Sequence, residues 1–225
     1  ILIGLVGSEM CIRDRNRMRD EFIKYDQEKM IQKFSLKNDK QYLYLDFMGR
    51  PYRINRKNGV VEWSEDGFHS VTEGNFNESM TIYDVLCYSK DSCSLSGKFC
   101  SINMLKGIVK ANPPGVNLFQ KTADSFNGKV AALEKACGSF GEKTDLKGDV
   151  AVKLYPFSFL PVILQFWEGD EEFPANLKFM FDENILQYIH YETIFYLLEH
   201  VTGRIQETMV MGKNEFGGRN LYTNK

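Results

Sequence analysis

No stretch of this chain reaches the roughly 18 consecutive apolar residues of a membrane-spanning helix, so a helical membrane protein is not expected. A dominant charge is lacking as well: 28 Lys and Arg stand against 30 Asp and Glu, for a formal net charge of −2. Nucleic-acid binding draws most of its affinity from a basic surface, so that role is not expected either. No export signal is expected from residues 1–7 either. Ile1 to Gly7 is apolar but too short for a signal core, no basic residue precedes it, and no small-residue cleavage site follows. Cys87, Cys93, Cys100 and Cys137 are therefore expected to be reduced thiols in a cytoplasmic protein.

Leu5 to Arg15 reads LVGSEMCIRDR, the translation of a DNA string that resembles the transposon-end adapter of sequencing libraries. Residues 1–15 are accordingly expected not to be native, and the native start of the gene is expected to be missing. The remaining length suits one ordinary domain over residues 16–212. Beyond Met211 the chain turns polar and glycine-containing, and 213–225 is expected to be a flexible tail.

Apolar residues recur at helical spacing over Asn16 to Phe34, which predicts one amphipathic helix. Gln41 to Met48 alternates around Leu43, Leu45 and Phe47, predicting a half-buried strand that turns at Met48-Gly49-Arg50-Pro51 into a second strand, Tyr52 to Asn55. Asn58-Gly59 is the strongest hairpin signal, since both residues tolerate the positive φ of a type I′ turn before Val60 to Trp63. Thr81 to Ser89 predicts a short helix capped by Thr81 or Ser79, and Ser96 to Phe99 starts a short extended piece. Asn112-Pro113-Pro114-Gly115 must be a loop, and Val116 to Cys137 has a helical pattern that Gly128 weakens.

Asp149 to Tyr155 and Phe173 to Phe181 alternate as half-buried strands, and Leu160 to Trp167 is almost wholly apolar, as in a central strand. Short links make these three an antiparallel meander. A helix capped by Asp182 or Asn184 then runs to Thr202 and stops at Gly203. The fold class expected is α+β: one domain with a mainly antiparallel sheet, built from N-terminal hairpins and the C-terminal meander and packed by helices.

Candidate chemistry concentrates at Glu168-Gly169-Asp170-Glu171-Glu172, between Trp167 and Phe173. Adjacent carboxylates at a hairpin tip suit a hard cation, or an acid–base pair if crowding separates their pKa values. The structural alternative is a solvated turn that discourages edge pairing. The flanking aromatics suggest that part of the tip is drawn inward. On the last helix, His190 and His200 are ten residues apart, about 15 Å at 1.5 Å per residue, so one metal cannot bridge them directly. His190 is expected at the edge of the core, and His200 near a helix C-terminus.

The C-x5-C-x6-C spacing from Cys87 to Cys100 is looser than zinc and iron–sulfur sites use, so these thiols read as small hydrophobes. No GxSxG, phosphate loop or GxGxxG is present, and no metal is assigned. The aromatics from Tyr155 to Tyr196 are mostly core material, with a pocket for a large flat ligand as the alternative.

Pro156-Phe157 with Leu160-Pro161, then Trp167-Glu168-Gly169-Asp170-Glu171-Glu172-Phe173-Pro174-Ala175 and Phe181-Asp182, resemble an uncharacterised family defined only as a domain of unknown function. Weaker likeness at Ser96 to Phe99 and Gly148-Asp149 extends the resemblance over most of residues 40–205. The resemblance implies a setting in anaerobic bacteria and archaea, where members are similar to proteins fused to a four-cysteine iron–sulfur domain of the corrinoid-protein type. This chain lacks that module, so any cluster would belong to a corrinoid or iron–sulfur partner protein.

Three functions follow as expectations. The first is a cytoplasmic binding or accessory protein linked to corrinoid or iron–sulfur one-carbon metabolism, with Trp167, Asp170, Glu171, Glu172 and His190 as its ligand-binding residues. The second is an enzyme acting on a small substrate through the three carboxylates, with or without a divalent metal. The third is an interaction domain with no ligand site.

Overall fold

The computed structural model describes residues 14–106 and 119–217. It contains two five-stranded antiparallel sheets, ordered β1-β2-β3-β4-β5 and β6-β10-β9-β8-β7, together with helices. The α+β class with antiparallel sheets therefore holds. The chain groups into two compact units: Ile1–Ser94 with Phe157–Phe159 and Asn184–His200, and Leu95–Pro156 with Leu160–Glu183 and Val201–Lys225.

The first unit opens with two helices where the periodicity predicts one. Helix α1 covers residues 14–22 and α2 covers Gln27–Phe34. Asp26 separates them, because its carboxylate accepts from the Lys29 N–H and so starts a new helix. Met18, Phe22, Met30 and Phe34 are the buried residues of this pair. Helix α2 ends at Ser35, in the left-handed region at φ 51°.

The first sheet comprises β1 (Lys37–Asn38), β2 (Tyr42–Phe47), β3 (Arg50–Asn55), β4 (Val61–Trp63) and β5 (Thr72–Glu73). Leu43, Leu45, Phe47, Tyr52 and Ile54 share its buried face. The two-residue turn with both φ values positive is Met48-Gly49, at 49° and 67°, which is the signature of type I′. Asn58-Gly59 instead closes a longer loop, in which the Gly59 N–H and the Asn55 N–H donate to Asn55 O and Val60 O respectively. Gly59 sits at φ 70°, and a Cβ there would lie 2.9 Å from Arg19 O. Fully buried Tyr83 donates to Gly59 O at 2.6 Å and pins the loop.

Helix α3, Phe76–Tyr88, begins a turn earlier than Ser79 or Thr81 would have it. The cause is a capping box: the Asn75 side chain accepts from the Glu78 N–H at 3.0 Å, and the Glu78 carboxylate accepts from the Asn75 N–H at 2.8 Å.

The second unit carries the expected meander as β8 (Val150–Phe157), β9 (Leu160–Trp167) and β10 (Asn176–Asp182). These are flanked by β6 (Phe99–Ser101) and β7 (Gly141–Lys143). Strand β10 begins later than Phe173 because residues 168–175 form an ordered tip. The helical pattern up to Cys137 splits into α4 (Gln120–Phe126) and α5 (Val130–Gly138), with Gly128 at φ 73° between them. The expected Pro-Pro loop and residues 116–118 lie outside the described residues, as do residues 1–13 of the N-terminal segment.

Helix α6 spans Tyr191–Gly217. Asp182 and Asn184 do not cap it: a 3-10 turn, Ile185–Gln187, intervenes. Gly203 does not stop it either, since a single glycine inside a helix costs only about 1 kcal/mol against alanine. Residues 218–225 of the tail lie outside the described residues. No described helix is long and apolar enough to cross a membrane.

A candidate binding groove

The acidic tip is ordered by its own main chain. Asp170 Oδ1 accepts from the N–H groups of Phe173 at 2.7 Å and Glu172 at 2.8 Å. Those two bonds, Phe173 first, hold the Asp170 carboxyl below its ordinary value. Glu168 accepts from Gly128 N–H, Asn127 accepts from Gly169 N–H, and Asp149 accepts from Glu168 N–H, all within 2.9 Å. The tip is thus tied to the α4–α5 break.

Asp170, Glu171 and Glu172 are exposed, and Phe173 is 68% exposed, so the tip is not drawn inward. Trp167 is half-buried, with the Lys178 ammonium 5.0 Å from its ring centre. Among the described residues no group of three or more His, Cys, Asp or Glu is placed to hold a metal ion.

His190 belongs to the other compact unit from the tip. Its main-chain N–H donates to Asp84 Oδ2 at 2.7 Å, and its Nδ1 lies 2.5 Å from Asp84 Oδ1. The Asp84 carboxylate is buried while the His190 side chain is 60% exposed. Asp84 so orders the chain entering α6 and orients the imidazole, whose edge also meets the Tyr88 ring.

A polar cluster in the first unit was not singled out from sequence. Glu78, Arg50, His200 and Tyr52 are all buried. Glu78 Oε1 lies 3.4 Å from His200 Nδ1 and 3.9 Å from Arg50 Nη1. The Arg50 guanidinium lies 3.8 Å from the Trp63 ring centre, and the His200 ring 4.1 Å from that of Phe47. Burial pushes the Glu78 carboxyl upward, but the His200 contact, the Asn75 N–H and Tyr52 outweigh it and leave it below its ordinary value. Burial also raises the Tyr52 hydroxyl, with the Glu78 charge adding to the effect. Tyr52 Oη and His200 Nε2 are buried without a hydrogen-bond partner of good geometry among the described residues.

A cavity in the first unit has a volume of about 500 Å³. Phe34, Leu36, Leu45, Tyr52 and Phe159 supply apolar walls, and Phe34 and Phe159 stack at 4.2 Å. Lys37, Asn38, Asp39, Asp46 and Ser158 form an exposed polar rim.

Two local devices hold the walls. Asp39 accepts from the Gln41 and Tyr42 N–H groups and from the Tyr44 hydroxyl, which together lower its pKa and fix the Tyr44 ring. Asp66 accepts from the hydroxyls of Ser64 and Ser70 and from the Ser70 N–H, in that order of effect, and its carboxyl is held well below the usual range. Ser64 Oγ in turn accepts from the Phe68 N–H at 2.9 Å. This places Phe68, at φ 67°, as a further wall.

The four described cysteines are free: Cys87 and Cys137 are buried, and desolvation pushes both thiols up to about 12. This is the chemistry of inert core residues. Of the aromatics between Tyr155 and Tyr196, Phe159 reaches the groove, whereas Phe157, Phe166 and Phe181 are fully buried. The other aromatic walls come from Phe34, Tyr44, Tyr52 and Phe68, far upstream.

A family model described as Domain of unknown function (DUF3786) matches residues 26–204. No curated protein and no solved structure matches the chain.

Proposed function

For this chain, which belongs to the DUF3786 family, we propose a binding or accessory protein that receives an apolar group of its ligand in the groove beside β2. One observation carries this reading: a cavity of about 500 Å³ with aromatic walls and free charges at its rim. Ligand sites of this kind measure roughly 300–1,000 Å³ and combine apolar walls with a few polar anchors. Neither the Lys37 ammonium nor the Asp46 carboxylate has a partner among the described residues.

The acidic tip supports an enzyme less well. Oδ1 of Asp170 already serves the turn, and the lowered pKa keeps the carboxyl ionised, which does not provide the raised pKa a general acid needs. Service to corrinoid or iron–sulfur enzymes of anaerobes, in a cytoplasmic setting, is the finer form of the proposal. Its support is the sequence resemblance around Trp167 to Ala175. Anaerobic titration with cobalamin tests it: a spectral change or thermal shift supports it, and neither leaves the groove without that ligand.

The groove itself is tested with 1-anilinonaphthalene-8-sulfonate, an aromatic anion. Ser158→Trp, at an exposed rim position, fills the cavity. Fluorescence enhancement that falls at least about tenfold in the variant supports the groove, in line with a filled pocket losing its apolar contacts. Equal enhancement in both proteins contradicts it.

A further inference from the structure

The cavity beside β2 presents one unengaged charge of each sign. Its charged lining residues are Lys37, Asp39 and Asp46. Asp39 is committed to the chain, because its carboxylate accepts from the Gln41 and Tyr42 N–H groups and from the Tyr44 hydroxyl. The Lys37 ammonium and the Asp46 carboxylate have no partner among the described residues, and they do not pair with each other.

The strand register brings these two charges to one place. Lys37 stands directly opposite Tyr44, and Asp46 is two residues further along β2, so the three side chains leave the same face of the sheet. Diagonal neighbours of this kind lie about 7–8 Å apart at Cβ. The flexible four-carbon stem of Lys37 can close on a group held between the two.

The pair of charges decides which ligand fits. A simple anion drawn to Lys37 also meets the Asp46 carboxylate, and a simple cation drawn to Asp46 also meets the Lys37 ammonium. Each loses on one side what it gains on the other. A group that carries both charges close together gains on both sides. The rest of the lining sets a third requirement, since Phe34, Leu36, Leu45 and Phe159 are apolar, and Phe34 stacks on Phe159 at 4.2 Å. An ammonium, a carboxylate and an apolar group on one carbon make an α-amino acid.

Resting on the groove as the binding site, we propose that its ligand is a free α-amino acid with an aromatic side chain, held by its carboxylate at Lys37 and by its ammonium at Asp46. The side chain lies against Phe34 and Phe159, where a further ring gains an aromatic contact beyond the apolar area it buries.

The test is isothermal titration calorimetry of the full chain with L-phenylalanine and two analogues. L-Phenylalaninamide lacks the carboxylate, and N-acetyl-L-phenylalanine lacks the ammonium. The expected result is saturable binding of phenylalanine, with each analogue at least about tenfold weaker, as loss of a charge-assisted contact implies. Lys37→Gln should bring the amide level with the amino acid, and Asp46→Asn should do the same for the N-acetyl compound. Both positions are exposed, so neither change should disturb the fold. Equal binding of the three compounds, unchanged discrimination in both variants, or no binding of phenylalanine overturns the proposal. If Ser158→Trp still blocks the anilinonaphthalene probe in that event, the groove stands and only the amino acid is wrong. If that variant leaves the probe unaffected, the groove itself is wrong.

Discussion

Glu78 and His200 face one another inside the first unit, Oε1 3.4 Å from Nδ1, with both side chains 5% exposed. Breaking such a buried pair by removing one partner strands the other, a loss of about 3–5 kcal/mol in comparable cases. Glu78→Ala should therefore be among the most destabilising single changes in the chain, as measured by urea denaturation. An effect within about 0.5 kcal/mol, the range of an ordinary surface substitution, would show that the cluster contributes nothing.

The same pair sets an acid limit. The Glu78 carboxyl lies below its ordinary value of 4.5 in the folded protein, because His200, Asn75 and Tyr52 together outweigh the burial that pushes it up. A depressed carboxylate stabilises the fold at pH values above the unfolded pKa, and that contribution is lost as pH falls through the lower folded pKa. Stability should thus decline as pH drops below 4.5. Glu78→Gln should flatten the decline while lowering stability at pH 7. Parallel pH–stability curves for the two proteins would contradict this.

Asn75 caps α3 through Glu78, so Asn75→Ala should cost about 1 kcal/mol. The two residues share hydrogen bonds, and the double variant should be less destabilised than the sum of the singles. Additive losses in denaturant titrations would argue against a reciprocal cap.

At the tip, Glu171 and Glu172 are exposed, and Glu171→Gln with Glu172→Gln should leave the melting temperature within error. Gly169→Ala should not be neutral, because a Cβ there would lie 2.5 Å from Ala175 N. If the paired glutamine changes destabilise more than Gly169→Ala, the tip has a role beyond its turn.

The extent to which this was legible in the sequence differs between elements. Alternation in Gln41 to Met48 gave β2 to within a residue or so, because burial of one face imposes a period of two, and the unbroken apolar run Leu160 to Trp167 gave β9, because both of its faces are buried. The turn at Met48-Gly49 is legible in the sequence, but its type I′ geometry is not, since methionine carries no signal for a positive φ. The capping box Asn75 to Glu78 was present in the letters, but the apolar start at Ile82 drew the helix boundary later. For the site, the sequence presents Trp167 and the acids as neighbours along the chain. The groove is built from Phe34, Tyr44, Phe68 and Phe159, brought together from four separate segments, and no periodicity marks them. The Ser64-Glu65-Asp66-Gly67 run, a turn signal, was the one local hint of an ordered wall.

Asp66 offers a check on that wall. Asp66→Ala removes the acceptor for Ser64 and Ser70 and should loosen the loop that carries Phe68. Amide hydrogen exchange over residues 64–70 should quicken, and affinity for the anilinonaphthalene probe should fall while the melting temperature changes little. Unchanged exchange would remove Asp66 as the organiser.

The most direct measurement is an NMR titration of the isotope-labelled full chain with 1-anilinonaphthalene-8-sulfonate. The account predicts saturable shifts concentrated at Phe34, Leu36, Leu45, Phe68 and Phe159. Shifts centred instead on Trp167 and Asp170 to Glu172, with the groove signals unmoved, would contradict it.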